Sequence, residues 1–242
     1  MEVKAPYNKK LFGVLLLIFG VFGMLIIIHR LSYYVYEYDP QYSPADYGKY
    51  NILSYFTVHS NLFGYVYLIA SAFAIFGCEK ARKFAYSPFV GSLVTTYIFI
   101  AGLVYCCGIP LGFTPPAKWD TAVHSFSSFI QIYYHMIMPP FMVLIWLFPA
   151  TNKKIPMKKA WLAGIYPLAY SIFSIIRGVF FPMHCYAYPF YDPQFLWKLA
   201  AGDKPINYFG AFGIMAVLLA AGIMFFIGVA ALVIKIHNKR TR

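Results

Sequence analysis

Polar side chains recur at helical spacing within three apolar stretches of this sequence. Residues three and four positions apart share one face of a helix, so each series forms a continuous polar stripe. The stripes contain hydroxyl, amide and imidazole groups, which are the groups that nucleophilic and acid–base chemistry uses. The first stripe is Ser54, Thr57, Asn61 and Gly64; the second is His124, Ser128, Gln131 and His135; the third is Tyr166, Tyr170, Ser174 and Arg177.

Each of these residues also has an ordinary structural interpretation. A Thr in a membrane helix usually donates to its own backbone carbonyl, and a His there often serves only as an inter-helix hydrogen-bonding group. Arg177 suits an anchor near the outer end of its helix, with Asp120 or Asp192 as its partner. His59 lies about 200° around the helix from Thr57, so we do not expect these two to pair.

The composition excludes a soluble protein. Hydrophobic residues make up 61% of the 242 residues and charged residues 12%, whereas soluble domains carry about 25% charged residues. So few charged side chains cannot cover the surface of a chain of this size, and the same composition excludes disorder, a coiled coil and a disulfide-stapled secreted module. The sequence therefore predicts an integral membrane protein, with residues 1–242 in a single membrane domain.

Six apolar stretches are long enough to cross the hydrocarbon core, which takes about 20 residues of helix. Lipid cannot satisfy unpaired backbone groups, and no alternating barrel pattern is present, so we predict an all-α fold. The polar stripes fall on the second, fourth and fifth spans and should converge, because a polar face turned towards lipid is costly. The predicted spans are roughly 11–35, 51–77, 86–110, 122–148, 160–181 and 206–236.

The basic residues predict the orientation of the chain. The net charge is +12, and most of the basic residues lie in four clusters that flank the spans, the distribution typical of cytoplasmic loops. Both termini are therefore predicted to be cytoplasmic, and the first span an uncleaved signal anchor in the plasma membrane. The positive charge does not indicate nucleic-acid binding, because the basic residues lie in clusters that flank the membrane spans. We call the side of these clusters the basic side and the opposite side the outer side. The clusters are Lys4, Lys9 and Lys10; Lys80, Arg82 and Lys83; Lys153, Lys154, Lys158 and Lys159; and Lys235, Lys239, Arg240 and Arg242.

The cysteines leave two interpretations open. Cys185 is expected on the outer side, where a disulfide with Cys106 or Cys107 is compatible with an oxidising compartment. Free buried thiols are the alternative. No pair of cysteines has the spacing of zinc ligands.

Three segments, taken together, resemble a known family. They are residues 55–62 (YFTVHSNL); residues 135–139 (HMIMP) with 146–148 (WLF); and residues 166–170 (YPLAY), 177–178 (RG) and 188–193 (YPFYDP). Their order and spacing, over nearly the whole chain, resemble a family of bacterial six-helix membrane proteins. These are distant relatives of the eukaryotic androgen-induced proteins and the androgen-dependent regulator of tissue factor pathway inhibitor.

This resemblance implies an intramembrane threonine hydrolase that acts on fatty acid esters of hydroxy fatty acids. The family uses a Thr near the start of the second span and a His in the fourth, and Thr57 and His135 match these positions. His135 would take the proton of the Thr57 hydroxyl, which attacks the ester and releases an alcohol. His135 would then activate water to free the fatty acid. The expected partners are the bilayer and a membrane lipid or acyl-chain substrate, with no cofactor.

Other stripe residues are candidates for binding the substrate. Asn61 and Gln131 lie one turn from Thr57 and His135 and are candidate donors to the oxyanion. Arg177 is a candidate for holding the carboxylate of a fatty acid near the interface. Tyr170 and Ser174 share its helix face and are further substrate-binding candidates.

A metal-dependent membrane hydrolase is one alternative. It would combine His135 with the outer-side candidates His124, His184 and Asp192. The His residues show neither HxxxH nor HExxH spacing, so we predict no metal site.

A small multi-helix transporter, or a ligand-binding membrane protein without catalysis, is another alternative. Broken helices at mid-membrane are common in transporters, and Pro139, Pro140 and Pro167 are positioned to break spans. The sequence predicts neither the oligomeric state nor the identity of the substrate.

Overall fold

Within the described residues of the computed structural model, six helices are long and apolar enough to cross a membrane. The structure describes residues 9–32, 51–112, 114, 117–148, 151, 153–180 and 186–241, and these residues contain no β-strand. The predicted all-α polytopic fold is confirmed, and each span agrees with its apolar stretch to within a few residues at each end. The spans are Lys9–Leu31, Phe56–Ile75, Pro88–Gly108, His124–Trp146, Met157–Phe180 and Tyr208–Arg240.

Local capping sets the start of several helices. Ser87, Thr121, Asp192 and Asn207 each accept a hydrogen bond from a backbone N–H of the helix that follows, as N-cap residues do. Short 3₁₀ segments, Met157–Gly164 and Pro189–Tyr191, precede α7 and α8. In chain order the α-helices are α1 (Lys9–Ser32), α2 (Phe56–Ile75), α3 (Glu79–Ala85), α4 (Pro88–Gly108), α5 (Ala122–Ile132), α6 (Met138–Trp146), α7 (Ile165–Phe180), α8 (Pro193–Ala201) and α9 (Tyr208–Arg240).

The second span begins later than its apolar stretch. Residues 51–54 form a 3₁₀ turn and Tyr55 is extended, so α2 begins at Phe56. In a continuous helix the N–H of Val58 would bond the carbonyl of Ser54. Here the Tyr170 hydroxyl donates to the Ser54 carbonyl at 2.5 Å, and the N–H of Val58 donates to the carbonyl of Tyr55 instead. Thr57 therefore lies in the first turn of α2.

A π-helical turn, Tyr133–Ile137, interrupts the fourth span between α5 and α6. Pro139 follows this turn and has no N–H with which to bond the carbonyl of His135, four residues before it. α4 approaches the same carbonyl closely, since a Cβ on Gly102 would lie 2.7 Å from His135 O and 2.5 Å from Pro139 Cγ. The prolines predict a kink just below His135, whereas the structure has a widened turn that contains His135.

The core lies where α1 and α2 pack as antiparallel neighbours against α4 and the fourth span. Three glycines of α1 allow the two backbones to approach closely, as small residues do between membrane helices. Tyr65, Leu68, Tyr134 and Met138 are among the fully buried side chains of this core. Gly13, Gly20 and Gly23 face Phe76, Ile69 and Tyr65 in turn.

The basic clusters meet at one end of the bundle. Asn238 in α9 bonds both the N–H and the carbonyl of Ile155 at 2.8 Å, which ties the end of α9 to the third cluster. Thr151 bonds the carbonyl of Tyr86, just after the second cluster. The first turns of α1 pack beside the last turn of α2 at the same end. This arrangement is the one that the charge distribution predicts for the cytoplasmic side.

Candidate active site

Thr57 lies half-buried in the first turn of α2, on the outer half of the bundle. Its backbone N–H donates to the hydroxyl of Tyr188 at 3.5 Å, and its side chain lies beside the same phenol oxygen. Its carbonyl accepts from Ser60 Oγ at 3.0 Å and from Asn61 Nδ2 at 2.9 Å. Among the described residues, the Thr57 hydroxyl donates to no backbone carbonyl. The ordinary role of a membrane Thr, which bonds its own helix backbone, is therefore not the one found here.

Aromatic neighbours fix the ring of Tyr188 over Thr57. The ring stacks on Phe190 at 5.1 Å and meets Tyr55 and Tyr170 edge-on at 5.8 and 6.5 Å. Burial raises the pKa of the Tyr188 phenol, and hydrogen bonds with Thr57 offset part of that rise. The phenol therefore keeps its proton at neutral pH.

His135 is buried within the π-helical turn, between the fourth span and α4. Its ring stacks on Tyr105 at 3.9 Å with only 7° between the planes. Its Nδ1 lies 3.2 Å from the carbonyl of Ala101. A carbonyl can only accept, so Nδ1 carries the hydrogen and Nε2 of the neutral ring carries the lone pair. Nε2 has no hydrogen-bond partner among the described residues, which leaves it available as a base.

Asn61 connects the two halves of this site. Its Nδ2 donates to the carbonyl of Thr57 at 2.9 Å and to the carbonyl of Tyr134, next to His135, at 3.5 Å. Its Oδ1 accepts from Tyr65 at 3.4 Å. Both amide hydrogens are engaged, so Asn61 positions backbone here and is not available as the oxyanion donor that its sequence position suggests.

No hydrogen bond joins Thr57 to His135 directly, although the structure describes both residues. The link between them runs through Asn61 and the backbone of the π-helical turn. The contact between the second and fourth spans at this amide is with the backbone of Tyr134, whereas the stripe side chains His135 and Ser128 bond Ala101 and Lys118 instead. The convergence of the two stripes stays a prediction.

The third stripe meets the 3₁₀ turn that precedes α2. Tyr170 bonds the carbonyl of Ser54, and the guanidinium of Arg177 donates to Asn51 Oδ1 at 2.7 Å. Arg177 is 5% exposed and Ser174 is 1% exposed. Arg177 is therefore buried near the outer end of α7, where it donates to Asn51.

Asp192 and Asp120, the carboxylates predicted as partners of Arg177, have other roles. Asp192 accepts from the N–H of Gln194 at 2.9 Å and caps α8. Asp120 pairs with His124 at 2.5 Å, and this hydrogen bond lowers the pKa of the exposed Asp120 carboxyl.

Other sequence candidates lie apart from Thr57 and His135. Ser128 bonds both the N–H and the carbonyl of Lys118 at 2.8 Å, which fixes the segment before α5. Gln131 is half-buried and bonds none of the residues that the structure describes. His184 lies outside the described residues. Within the described part of the chain, no group of three or more His, Cys, Asp or Glu side chains is arranged to hold a metal ion.

The three described cysteines differ from both sequence interpretations, which were an outer disulfide and free buried thiols. Cys106 and Cys107 carry free thiols at the outer end of α4, and Cys78 carries one on the basic side. All three are exposed rather than buried. The structure therefore does not contain the predicted disulfide at Cys106 or Cys107, and Cys185 itself lies outside the residues that it describes.

Two positions near the site carry roles that sequence spacing does not reveal. His59 faces away from Thr57, as predicted, and both ring nitrogens are bonded: Nε2 to the carbonyl of Leu53 at 2.6 Å and Nδ1 to the Tyr166 hydroxyl at 2.5 Å. Tyr188 belongs to a segment that the resemblance includes, but no spacing rule connects it with Thr57.

Arg30 is also closer to the site than its place in the sequence suggests. The residue belongs to the last turns of α1, and its guanidinium lies 5.9 Å from the ring centroid of Tyr134. It is 7% exposed. A buried cation therefore stands beside the π-helical turn that contains His135.

Comparisons of the chain with protein-family models, with curated proteins and with solved structures find no match.

Proposed function

We propose that this protein is an intramembrane hydrolase of lipid esters, with Thr57 as the nucleophile and His135 as the base. The observation that carries the proposal is the orientation of His135. Its Nδ1 bonds Ala101, its Nε2 is available, and the turn that holds it is tied by Asn61 to the turn that holds Thr57.

The reaction begins when the Thr57 oxygen attacks the ester carbonyl and its proton passes to His135 Nε2. The tetrahedral intermediate collapses, and the ester C–O bond breaks as the alcohol leaves with the proton from His135. Water then gives a proton to His135 and attacks the acyl-threonine. The bond from the acyl carbon to the Thr57 oxygen breaks, and that oxygen takes the proton from His135, which frees the fatty acid and restores the Thr57 hydroxyl. Catalytic hydrogen bonds often tighten only when substrate is bound, so a direct bond between the two side chains is not required beforehand.

The surroundings favour a lipid substrate. Both residues lie within membrane spans, and the aromatic side chains around Thr57 offer apolar surface to an acyl chain. The proposal includes the plasma membrane as the location of this multi-pass protein.

The first experiment compares ester hydrolysis by wild type, Thr57→Val and His135→Gln in detergent micelles. The substrate is a long-chain p-nitrophenyl ester, and a fluorophosphonate probe reports labelling of the nucleophile. We expect both variants to lose turnover and labelling while their thermal unfolding stays close to that of wild type.

Thr96→Val is a matched control. Thr96 is a buried Thr of α4 whose hydroxyl donates to the carbonyl of Ser92 at 2.8 Å, the ordinary role of a membrane Thr. This variant should keep its activity. Turnover that survives in Thr57→Val would reject the mechanism.

A ligand-binding or transport protein without catalysis is the second candidate. The π-helical turn in the middle of the fourth span favours it, because interrupted helices at this depth often line binding sites in transporters. Saturable binding of a fatty acid that Thr57→Val leaves unchanged, in a protein that hydrolyses no ester, would favour this candidate over the hydrolase.

A further inference from the structure

The proposed reaction needs hydrogen-bond donors for the oxyanion that forms on the substrate. Asn61 donates to two backbone carbonyls, and Gln131 makes no hydrogen bond to a described residue. We propose that Tyr188 is a further catalytic residue, whose phenol O–H donates to the ester carbonyl oxygen as that oxygen becomes an oxyanion at Thr57. This inference rests on the proposed function.

The geometry at Thr57 fits two donors around one oxygen. Tyr188 Oη and the backbone nitrogen of Thr57 are 3.5 Å apart. An oxyanion is stabilised by donors about 2.7–3.1 Å away, and one oxygen can lie at that distance from both atoms. The backbone N–H of the nucleophile and the Tyr188 O–H would then share the developing negative charge.

The hydrogen of the Tyr188 hydroxyl is available for this role. The phenol oxygen accepts from the N–H of Thr57, and among the described residues its side-chain hydrogen bond is with Thr57 itself, the residue that the substrate approaches. A substrate oxygen between these two groups would accept a hydrogen bond from the Tyr188 hydroxyl. It would also accept from the N–H of Thr57 in place of the phenol oxygen.

The phenol is also held in place before substrate arrives. Its ring is packed between Tyr55 and Phe190, and the segment that carries it leads directly into α8, which Asp192 caps. Donors that are fixed in advance stabilise a transition state well, because they need no reorganisation during the reaction.

In the proposed step the bond from the Thr57 oxygen to the carbonyl carbon forms, and the π pair of the carbonyl moves onto its oxygen. Tyr188 keeps its proton throughout and only donates a hydrogen bond. The proton of Thr57 goes to His135, as in the proposed function. When the intermediate collapses, the π bond forms again and the alcohol leaves.

The test is Tyr188→Phe, measured for long-chain p-nitrophenyl ester hydrolysis in detergent micelles. The variant keeps the ring and removes the O–H. We expect kcat to fall about 10²- to 10³-fold, the usual effect of removing one oxyanion donor, with little change in KM. Tyr191→Phe is the matched control, since Tyr191 ends the short 3₁₀ segment that follows Tyr188 and its hydroxyl contacts Ser171 at 3.0 Å instead of Thr57. Its kcat should stay within about twofold of wild type.

A second variant keeps the test informative if Tyr188→Phe does not fold. Replacement of Tyr188 by 3,5-difluorotyrosine keeps the hydroxyl but lowers the pKa of the phenol. Activity needs the protonated phenol, so the alkaline limb of the kcat profile should move to lower pH. The same replacement at Tyr191 should leave the profile unchanged.

The outcomes separate the two proposals. If Tyr188→Phe keeps wild-type kcat while Thr57→Val is inactive, the role of Tyr188 is wrong and the hydrolase stands. An unmoved alkaline limb in the fluorinated variant leads to the same conclusion. If Thr57→Val keeps wild-type activity, or wild type hydrolyses none of the esters, the proposed function fails and the role of Tyr188 fails with it.

Discussion

The phenol oxygen of Tyr188 lies 3.5 Å from the backbone nitrogen of Thr57, although 131 residues separate them in the sequence. This contact brings the segment after the fifth span onto the first turn of the second. The same turn is connected through Asn61 to the π-helical turn of the fourth span. The outer half of α2 is therefore where the second and fourth spans meet the segment that contains Tyr188.

Asn61→Ala should both destabilise the protein and lower its activity. The amide bonds two backbone carbonyls inside the core, and unsatisfied buried polar groups cost about 1–3 kcal/mol. Thermal unfolding in detergent and ester turnover report the two effects. Ser60→Ala removes a bond to the same Thr57 carbonyl and nothing from the fourth span, so its kcat should change less. Equal losses in the two variants would argue against a positioning role for Asn61.

Gly102→Ala should disturb the π-helical turn. The added Cβ would lie 2.5 Å from Pro139 Cγ and 2.7 Å from the carbonyl of His135, and overpacking of this kind costs about 1–3 kcal/mol. We expect a lower unfolding temperature and a lower kcat. Gly213→Ala is the control, because a Cβ there meets open space and Ala favours a helix by up to about 1 kcal/mol. A neutral Gly102→Ala would show that α4 does not hold the turn.

The Tyr105 ring should orient His135. The two rings are stacked at 3.9 Å, and an aromatic pair contributes about 0.5–1.5 kcal/mol beyond its buried area. Tyr105→Leu should therefore lower kcat about twofold to tenfold, whereas Tyr105→Phe, which keeps the stack, should be close to wild type. If both variants lose the same activity, the hydroxyl rather than the stack matters.

The exposed thiols should report the orientation of the chain. Cys106 and Cys107 lie at the outer end of α4, and Cys78 lies between α2 and α3 on the basic side. In intact cells a membrane-impermeant maleimide should label Cys106 and Cys107, and Cys78 should react only after permeabilisation. Single-cysteine variants separate the signals. The reverse pattern would place the basic clusters outside and contradict the predicted topology.

The sequence by itself predicts the six spans, because about 20 apolar residues in a row have no other stable arrangement in lipid. It also predicts that the basic clusters lie at one end, since the charges recur at every second loop. The polar stripes follow from the helical repeat, which places residues three and four apart on one face. This is why His59 faces away from Thr57. The contact of Asn61 with the backbone of Tyr134 does not follow from the helical repeat.

Tertiary structure decided what those stripes contact. The carbonyl of Ser54 is bonded by Tyr170 of α7, and the start of α2 moves to Phe56 as a result. Arg177 lies in the last turn of α7, near its outer end, and there it donates to the amide oxygen of Asn51, a partner that no sequence pattern indicates. Tyr188 reaches Thr57 only because the segment after α7 folds back over α2. Helical periodicity assigns a side chain to a face of its own helix. The residues that this face contacts depend on how the spans pack, and local sequence patterns carry no information about contacts between residues far apart in the chain.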